Sequence, residues 1–448
     1  MIRRSQVFSH TVAYSAVLAV AVSALDTTQI CAQGKGEERL GDTKLEKKYN
    51  DKAKLISSLL SGDTQYEPKQ HDETLDLGAM HYAYRLSYLE NQTKPTIMWR
   101  LVDDAERQLK AKRTENNAAA QRKFRELLLK RLREVMPNPK PIAAMNAARI
   151  LTSMAEQGQE EVADAFVDVL KDPTKFDDAT TFCALQGLRA LFRLAGQAEN
   201  PLQFKDKDRE ARAIAALIGA VERKWPTSSV ATSEEVEGQR VWRREAIRAL
   251  ALTRYPAAVD SKGAVKGLTA LALLRVVRND NMNPPPRPEE QFEAAIGVAN
   301  LKAMPAKDYK LPNAYQPDVA AQHLGQFVAA TARRLRTPIG IDGRVPWKTM
   351  SARLSDALSN LQADTAKNFK DNKDVVSHVT KIVTESKKVF AAIEIAETPQ
   401  PLGLANALAA GKLDDSPVFK GDKQSVVKPA AEKPADAPVE KPVDPKKK

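Results

Sequence analysis

Histidine and cysteine are both scarce in this chain of 448 residues. The five histidines are His10, His71, His81, His323 and His378. No two of them have the spacing that sets both imidazoles on one helical turn, and no His-Glu-x-x-His occurs. His71 and His81 could share a helix face, but along a continuous helix they stand about fifteen Å apart, too far for one metal ion. The two cysteines, Cys31 and Cys183, form no Cys-x-x-Cys, which removes the support for a zinc ribbon, a redox pair or covalent haem. Cys31 borders an export signal. The mature chain would then keep only Cys183, which reads in TTFCALQGL as a small buried apolar residue.

Other chemistry is missing as well. There is no Gly-x-Ser-x-Gly. Gly340-Ile341-Asp342-Gly343 lacks both the preceding strand and the following Lys-Ser/Thr of a phosphate loop, and reads as a turn. Asp103-Asp104, Asp177-Asp178 and Asp414-Asp415 are adjacent in sequence. On a helix such neighbours diverge by about a hundred degrees, so they make caps or solvated faces and not catalytic dyads. Aromatic residues are only 6% of the chain, a poor supply for sugar-binding platforms. No catalytic residue, cofactor site or metal ligand set is therefore expected. Strand-type alternation of Val, Ile, Thr and Tyr is hard to find.

What the chain has is alanine in nearly every segment, 43% hydrophobic residues and 28% charged residues, which favours helices packed through small and aliphatic side chains. The net charge is +12. That balance eases contact with anionic partners, but no basic cluster sits in a nucleic-acid-binding motif, and solvated helix faces explain the excess. A nucleic acid partner is not expected.

Six regions follow in order. Residues 1–32 read as a secretory signal: Arg3 and Arg4 precede the apolar run Thr11 to Leu25, with small residues at Val22-Ser23-Ala24 and Ile30-Cys31-Ala32 for cleavage. The run is short for a membrane span, and none of spanning length follows, so the mature chain is expected to be soluble and periplasmic or secreted. Residues 33–70 are a polar amino-terminal segment with a short helix ending in Leu59-Leu60. Residues 71–136 hold three helices, about 72–90, 96–112 and 115–135. The second has Trp99, Val102, Ala105 and Leu109 on its inner face. Residues 137–305 hold a more regular series: 142–156, 159–170, 178–194, 206–224, 233–253, 263–278 and 289–303, punctuated by Pro173, Pro201, Pro226, Pro256 and Pro284-Pro285-Pro286. Residues 306–412 add helices at 316–336, 347–369 and 374–397, a turn at 335–345, and a short helix at 402–410. Residues 413–448 are a Lys/Pro/Ala-rich tail with too little apolar surface to order itself.

Residues 236–255, VEGQRVWRREAIRALALTRY, set the pattern. Ala246, Ile247, Ala249, Leu250 and Ala251 share one apolar sector, and Arg243, Arg244, Glu245 and Arg248 lie mostly outside it. Alanine on a buried face lets a neighbouring helix approach closely. NAARIL, CALQGL, EAIRAL and EAAIGV overlay on their small residues at unequal intervals. WRREAIRAL (Trp242 to Leu250) and PEEQFEAAIGVANL (Pro288 to Leu301) resemble the first helix of HEAT-like repeats, a resemblance spanning about Pro141 to Met304. It implies an all-α, right-handed stack of antiparallel helix pairs, an α-solenoid, which presents an extended surface to a protein or peptide. A non-repeating bundle of alanine-rich helices is the alternative.

The expected function is a non-catalytic exported scaffold for protein–protein interaction in the cell envelope. The alternatives are an envelope-glycan or anionic-polymer binder using basic helices and the Lys-Pro tail, and an all-α toroid that degrades polysaccharide. Candidate interaction residues are Tyr84, Arg85 and Tyr88 in the densest aromatic-polar patch, Arg122 and Arg125 on a basic helix, and Arg243, Arg244 and Arg248.

Overall fold

Proline starts helices in this chain. Pro68, Pro95, Pro141, Pro288 and Pro317 each occupy the first position of one, where the missing N–H costs nothing and the fixed φ suits the first turn. Elsewhere side chains set the start. Asp206 accepts from the backbone N–H of Asp208 and Arg209. Thr232 and Glu235 form a reciprocal capping box.

The computed structural model describes residues 40–42, 44–111, 114–172, 174–195, 204–224, 232–302, 316–336, 345–395 and 416–420. Its α-helices are α1 (Leu45–Ser61), α2 (Pro68–Tyr84), α3 (Leu89–Gln92), α4 (Pro95–Lys110), α5 (Ala118–Val135), α6 (Pro141–Glu156), α7 (Val162–Lys171), α8 (Asp178–Ala195), α9 (Lys207–Glu222), α10 (Ser233–Leu250), α11 (Thr269–Arg278), α12 (Pro288–Ala299), α13 (Pro317–Leu335), α14 (Trp347–Asn368) and α15 (Lys373–Ile395). One antiparallel hairpin, β1 (Ala258–Val259) with β2 (Val265–Gly267), and 3-10 turns at Arg85–Ser87 and Pro417–Phe419 complete the described elements. The fold is all-α, and none of the described helices is long and apolar enough to cross a membrane.

The helices pack in two rows. In the first, α6, α8, α10, α12 and α14 lie side by side in that order. In the second, α7, α9, α11 and α13 do the same. Consecutive helices connect the rows: α7 packs on α8, α9 on α10 and α11 on α12. The amino-terminal helices extend the series, with α1 on α2, α2 on α5, and both α4 and α5 on α6. At the other end α15 packs against both α13 and α14.

Small residues set the closeness. Ala246, Ala249, Ala294 and Ala295 are fully buried. A Cβ on Gly297 of α12 would lie 2.9 Å from that of Ala251 at the end of α10. Gly187 of α8 leaves room for the ring of Phe166 on α7, which a Cβ there would meet at 2.2 Å. One continuous apolar core runs from Leu45 to Phe419.

Several expectations are corrected. The helix expected over 72–90 stops at Tyr84. Ser87 Oγ donates to the Tyr84 carbonyl at 2.6 Å, and the amides of Asn91 and Gln92 take the carbonyls of Arg85 and Leu86. Trp99 is not on the inner face but 66% exposed. The buried stripe of α4 is Met98, Leu101, Val102, Ala105 and Leu109, and Trp99 sits about a hundred degrees round from Met98. Residues 263–267, expected to begin a helix, belong to the hairpin. Gly263 adopts φ +82°, and Asp260 accepts from the backbone N–H of Lys262 and Ala264. The tail was expected to lack packing from 413 onward, yet Phe419 is buried over Gly325 of α13, and Gln322 donates to the Val418 carbonyl at 3.2 Å. The export signal, most of the 335–345 turn and the 402–410 helix lie outside the described residues.

Candidate functional site

Of the eight residues expected to offer an interaction surface, four are buried, three are half-buried and one is exposed. On α2 and the turn after it, Tyr84 is buried and its hydroxyl donates to Glu134 while accepting from Arg131 at 3.1 Å. Burial and the Glu134 carboxylate push its phenol up to about 12. Tyr88 is buried too. Arg85 pairs with Glu46 at 2.7 Å and meets His81 Nε2 at 3.1 Å. His81 stacks flat on Tyr49, ring centres 3.5 Å apart, and its Nδ1 has no hydrogen-bond partner among the described residues. Burial first, and then the nearby Arg85 charge, lower its pKa to about 3, so it is neutral at physiological pH.

On α5, Arg122 is exposed, but Arg125 is buried, donating to the Leu109 carbonyl at 2.5 Å and to Gln157 Oε1 at 2.6 Å. On α10, Arg244 is half-buried and Arg243 is buried. Arg243 Nε and Nη2 bond to Glu290 at 2.6 and 3.2 Å, and its Nη1 donates to the Pro284 carbonyl at 2.7 Å. Arg243 and Arg248 of α10 therefore act as struts to α12. A helix with neighbours in its own row on both sides, and another row behind it, has little perimeter left for solvent.

These struts form a chain. Arg189 of α8 bonds to Glu245 of α10 at 2.9 Å. Glu245 accepts from Arg248 at 2.6 Å, and Arg248 reaches Glu293 of α12 at 3.2 Å. Glu293 then accepts from both ends of the Arg353 guanidinium on α14, at 2.9 and 3.1 Å. Burial alone would raise the Glu293 carboxyl, but Arg353 and Arg248 outweigh it and hold the group below the ordinary range. The second row repeats the device. Arg209 of α9 bonds to Asp164 of α7 and to Glu160 just before it, and Arg275 of α11 bonds to Glu222 of α9 at 2.5 Å.

The described residues form a large cleft. It has a volume of about 480 Å³ and is lined by α11, α12, α13 and the start of α14. Its floor is aromatic: Phe292 meets Phe327 edge-on at 5.1 Å and Trp347 at 6.1 Å, and all three rings are buried. Its rim carries Arg278, Arg333 and Arg334. Arg334 lies 5.8 Å over the Trp347 ring, Arg278 pairs with Asp280, and Arg333 is exposed without an ion pair among the described residues. His323, Gln291, Gln326 and Thr331 supply the polar wall, and no carboxylate is among the described lining residues. A volume of this order holds one or two large side chains or a small organic ligand.

Sequence reading missed this cleft because its rings are 20 and 35 positions apart. The available signal was the run Arg333, Arg334, Arg336 closing α13, with Trp347 opening the next helix. Among the described residues no group of three or more His, Cys, Asp or Glu side chains gathers to hold a metal ion. Cys183 is buried, and desolvation pushes its thiol up to about 12, which keeps it protonated. Comparison with known proteins gave no match: no protein-family model, no curated protein and no solved structure matches the chain.

Proposed function

We propose that this chain is an exported, non-catalytic scaffold built as a HEAT-like α-solenoid, which holds a protein partner in the cell envelope. The observation that carries the proposal is the pair of arginine–carboxylate chains linking successive helices within each row. In the first row the carboxylates Glu245 and Glu293 are buried while their arginine partners reach in from more exposed positions; such pairs contribute little net stability over well-packed apolar groups, and the role we assign them is to fix register. A stack whose helices are tied in register is suited to presenting distant surface points at fixed spacing. The cleft supports the same reading, since its lining combines aromatic rings with positive charge. Export rests on the charged-then-apolar amino terminus.

The test is affinity isolation of the full chain from the envelope fraction, followed by sizing of the eluate. The expected result is a stoichiometric complex with one protein, with the chain absent from the cytosolic fraction. Release of sugars from an envelope glycan by the purified chain, or confinement to the cytosol, would refute it.

A further inference from the structure

Side chains of one short stretch, His81 to Ser87, grip the start of α1 and the residues just before it. His81 stacks on Tyr49 with ring centres 3.5 Å apart, and the Tyr82 hydroxyl meets that of Tyr49 at 3.2 Å. A Cβ on Gly41 would lie 2.9 Å from the Tyr84 ring. Arg85 pairs with Glu46 at 2.7 Å, and Ser87 Oγ accepts from the Leu40 amide at 2.9 Å. The far end of α1 is held elsewhere. Ile56, Leu59 and Leu60 are buried, and the Leu60 carbonyl accepts from Asn117 and Gln121 of α5. Between the two attachments, none of residues 50–54 is buried. The first half of α1 is therefore able to part from α2 while the second half stays docked.

His81 is the member of this grip whose ordinary titration lies near neutral pH. It is 6% exposed, and its Nδ1 has no hydrogen-bond partner among the described residues. Tyr49 faces it from α1, with Glu46 taken up by Arg85. Tyr82 and Arg85 face it from α2 itself. Asp104 and Gln108 of α4 act on the Tyr82 hydroxyl, and α5 brings the uncharged Phe124 ring to Tyr82. A proton on the docked imidazole thus meets burial and the Arg85 charge, whereas on the parted imidazole it meets water. We propose that the first half of α1, with residues 40–42 before it, is an acid-released clasp over the Tyr82–Tyr84 face of α2, opened by protonation of His81. Opening uncovers the aromatic patch that the clasp now covers. The inference goes beyond the scaffold reading and does not rest on it. With a pKa of 6.5 when parted and about 3 when docked, His81 favours opening about thirtyfold more at pH 5.0 than at pH 7.5.

The test is amide hydrogen exchange of the full chain, read by mass spectrometry at pH 7.5 and pH 5.0 with times scaled for intrinsic exchange. Two variants, His81→Phe and His81→Leu, remove the titrating ring, and circular dichroism confirms the helical fold of each. The expected result is about thirtyfold lower protection over residues 45–53 at pH 5.0, on times over which α6 and α12 stay unexchanged at both pH values. The folded variants should show almost no such fall. The comparison within the parent chain stands by itself if neither variant folds. Unchanged protection of residues 45–53, exchange of that segment only together with α6 and α12, or an equal fall in a folded variant would overturn the proposal.

Discussion

Glu290→Gln should destabilise this protein more than Glu293→Gln, although Glu293 serves two arginines and Glu290 only one. The difference lies in what each substitution strands. Among the described residues Glu290 is the only carboxylate bonded to Arg243, whose side chain is 6% exposed and which also donates to the Pro284 carbonyl. Neutralising Glu290 leaves a guanidinium inside the protein with no counter-charge. Removing one partner of such a buried pair costs about 3–5 kcal/mol, and the glutamine amide recovers part of that, leaving about 3 kcal/mol. Neutralising Glu293 is milder. Arg248 keeps Glu245 at 2.6 Å, and the Arg353 side chain is 48% exposed and can turn to water. The cost there should be about 1–2 kcal/mol. Urea unfolding followed by far-UV circular dichroism separates the two, provided the denaturant slopes agree. The double variant Arg243→Met with Glu290→Leu should recover to within about 1 kcal/mol of the parent, since an apolar pair of similar volume avoids the desolvation penalty. Equal losses for the two glutamines, or the reverse order, would refute the reasoning.

Three further outcomes are expected. His81 must stay neutral to remain folded, with its pKa lowered from 6.5 to about 3. Between those values the unfolded chain binds the extra proton, so stability falls as pH drops below about 6.5, by about 1.4 kcal/mol per pH unit at most. Thermal melts from pH 7 to pH 5 should show this fall, and His81→Phe, which keeps the stack on Tyr49, should flatten it. Truncation after Asp415 should lower the thermal midpoint by several degrees, because it removes the buried Phe419 from its place over Gly325, whereas truncation after Lys420 should leave it almost unchanged. Two glycine-to-alanine changes should have opposite signs. Gly187→Ala drives a methyl into the Phe166 ring and should cost about 1–3 kcal/mol, while Gly219→Ala, with open space at an exposed position of α9, should stabilise by up to about 1 kcal/mol. Chemical denaturation of the two variants side by side checks both.

Much of the helical layout was legible in the linear chain. Proline punctuation and the 3.6-residue recurrence of Leu and Ala locate most helices within a few residues, since these signals act over one or two turns. The hairpin was missed because its two strands are two and three residues long, too short for alternation to show. The buried place of Phe419 was missed because its partners, Gln322 and Gly325, lie about ninety positions earlier.

The sequence by itself determined where helices begin, which face of each is apolar, and that small residues line those faces. Only the tertiary structure decided the fate of the charges. Arg243 and Glu245 read as lying outside the apolar sector of their helix, yet stacking covers them and, with the buried Glu290 and Glu293, turns them into cross-links between α8, α10, α12 and α14. Phe292, Phe327 and Trp347 likewise form one floor only when three helices converge. Periodicity reports how a side chain is disposed about its own helix axis. Whether water or another helix lies beyond it depends on contacts between residues far apart in the chain.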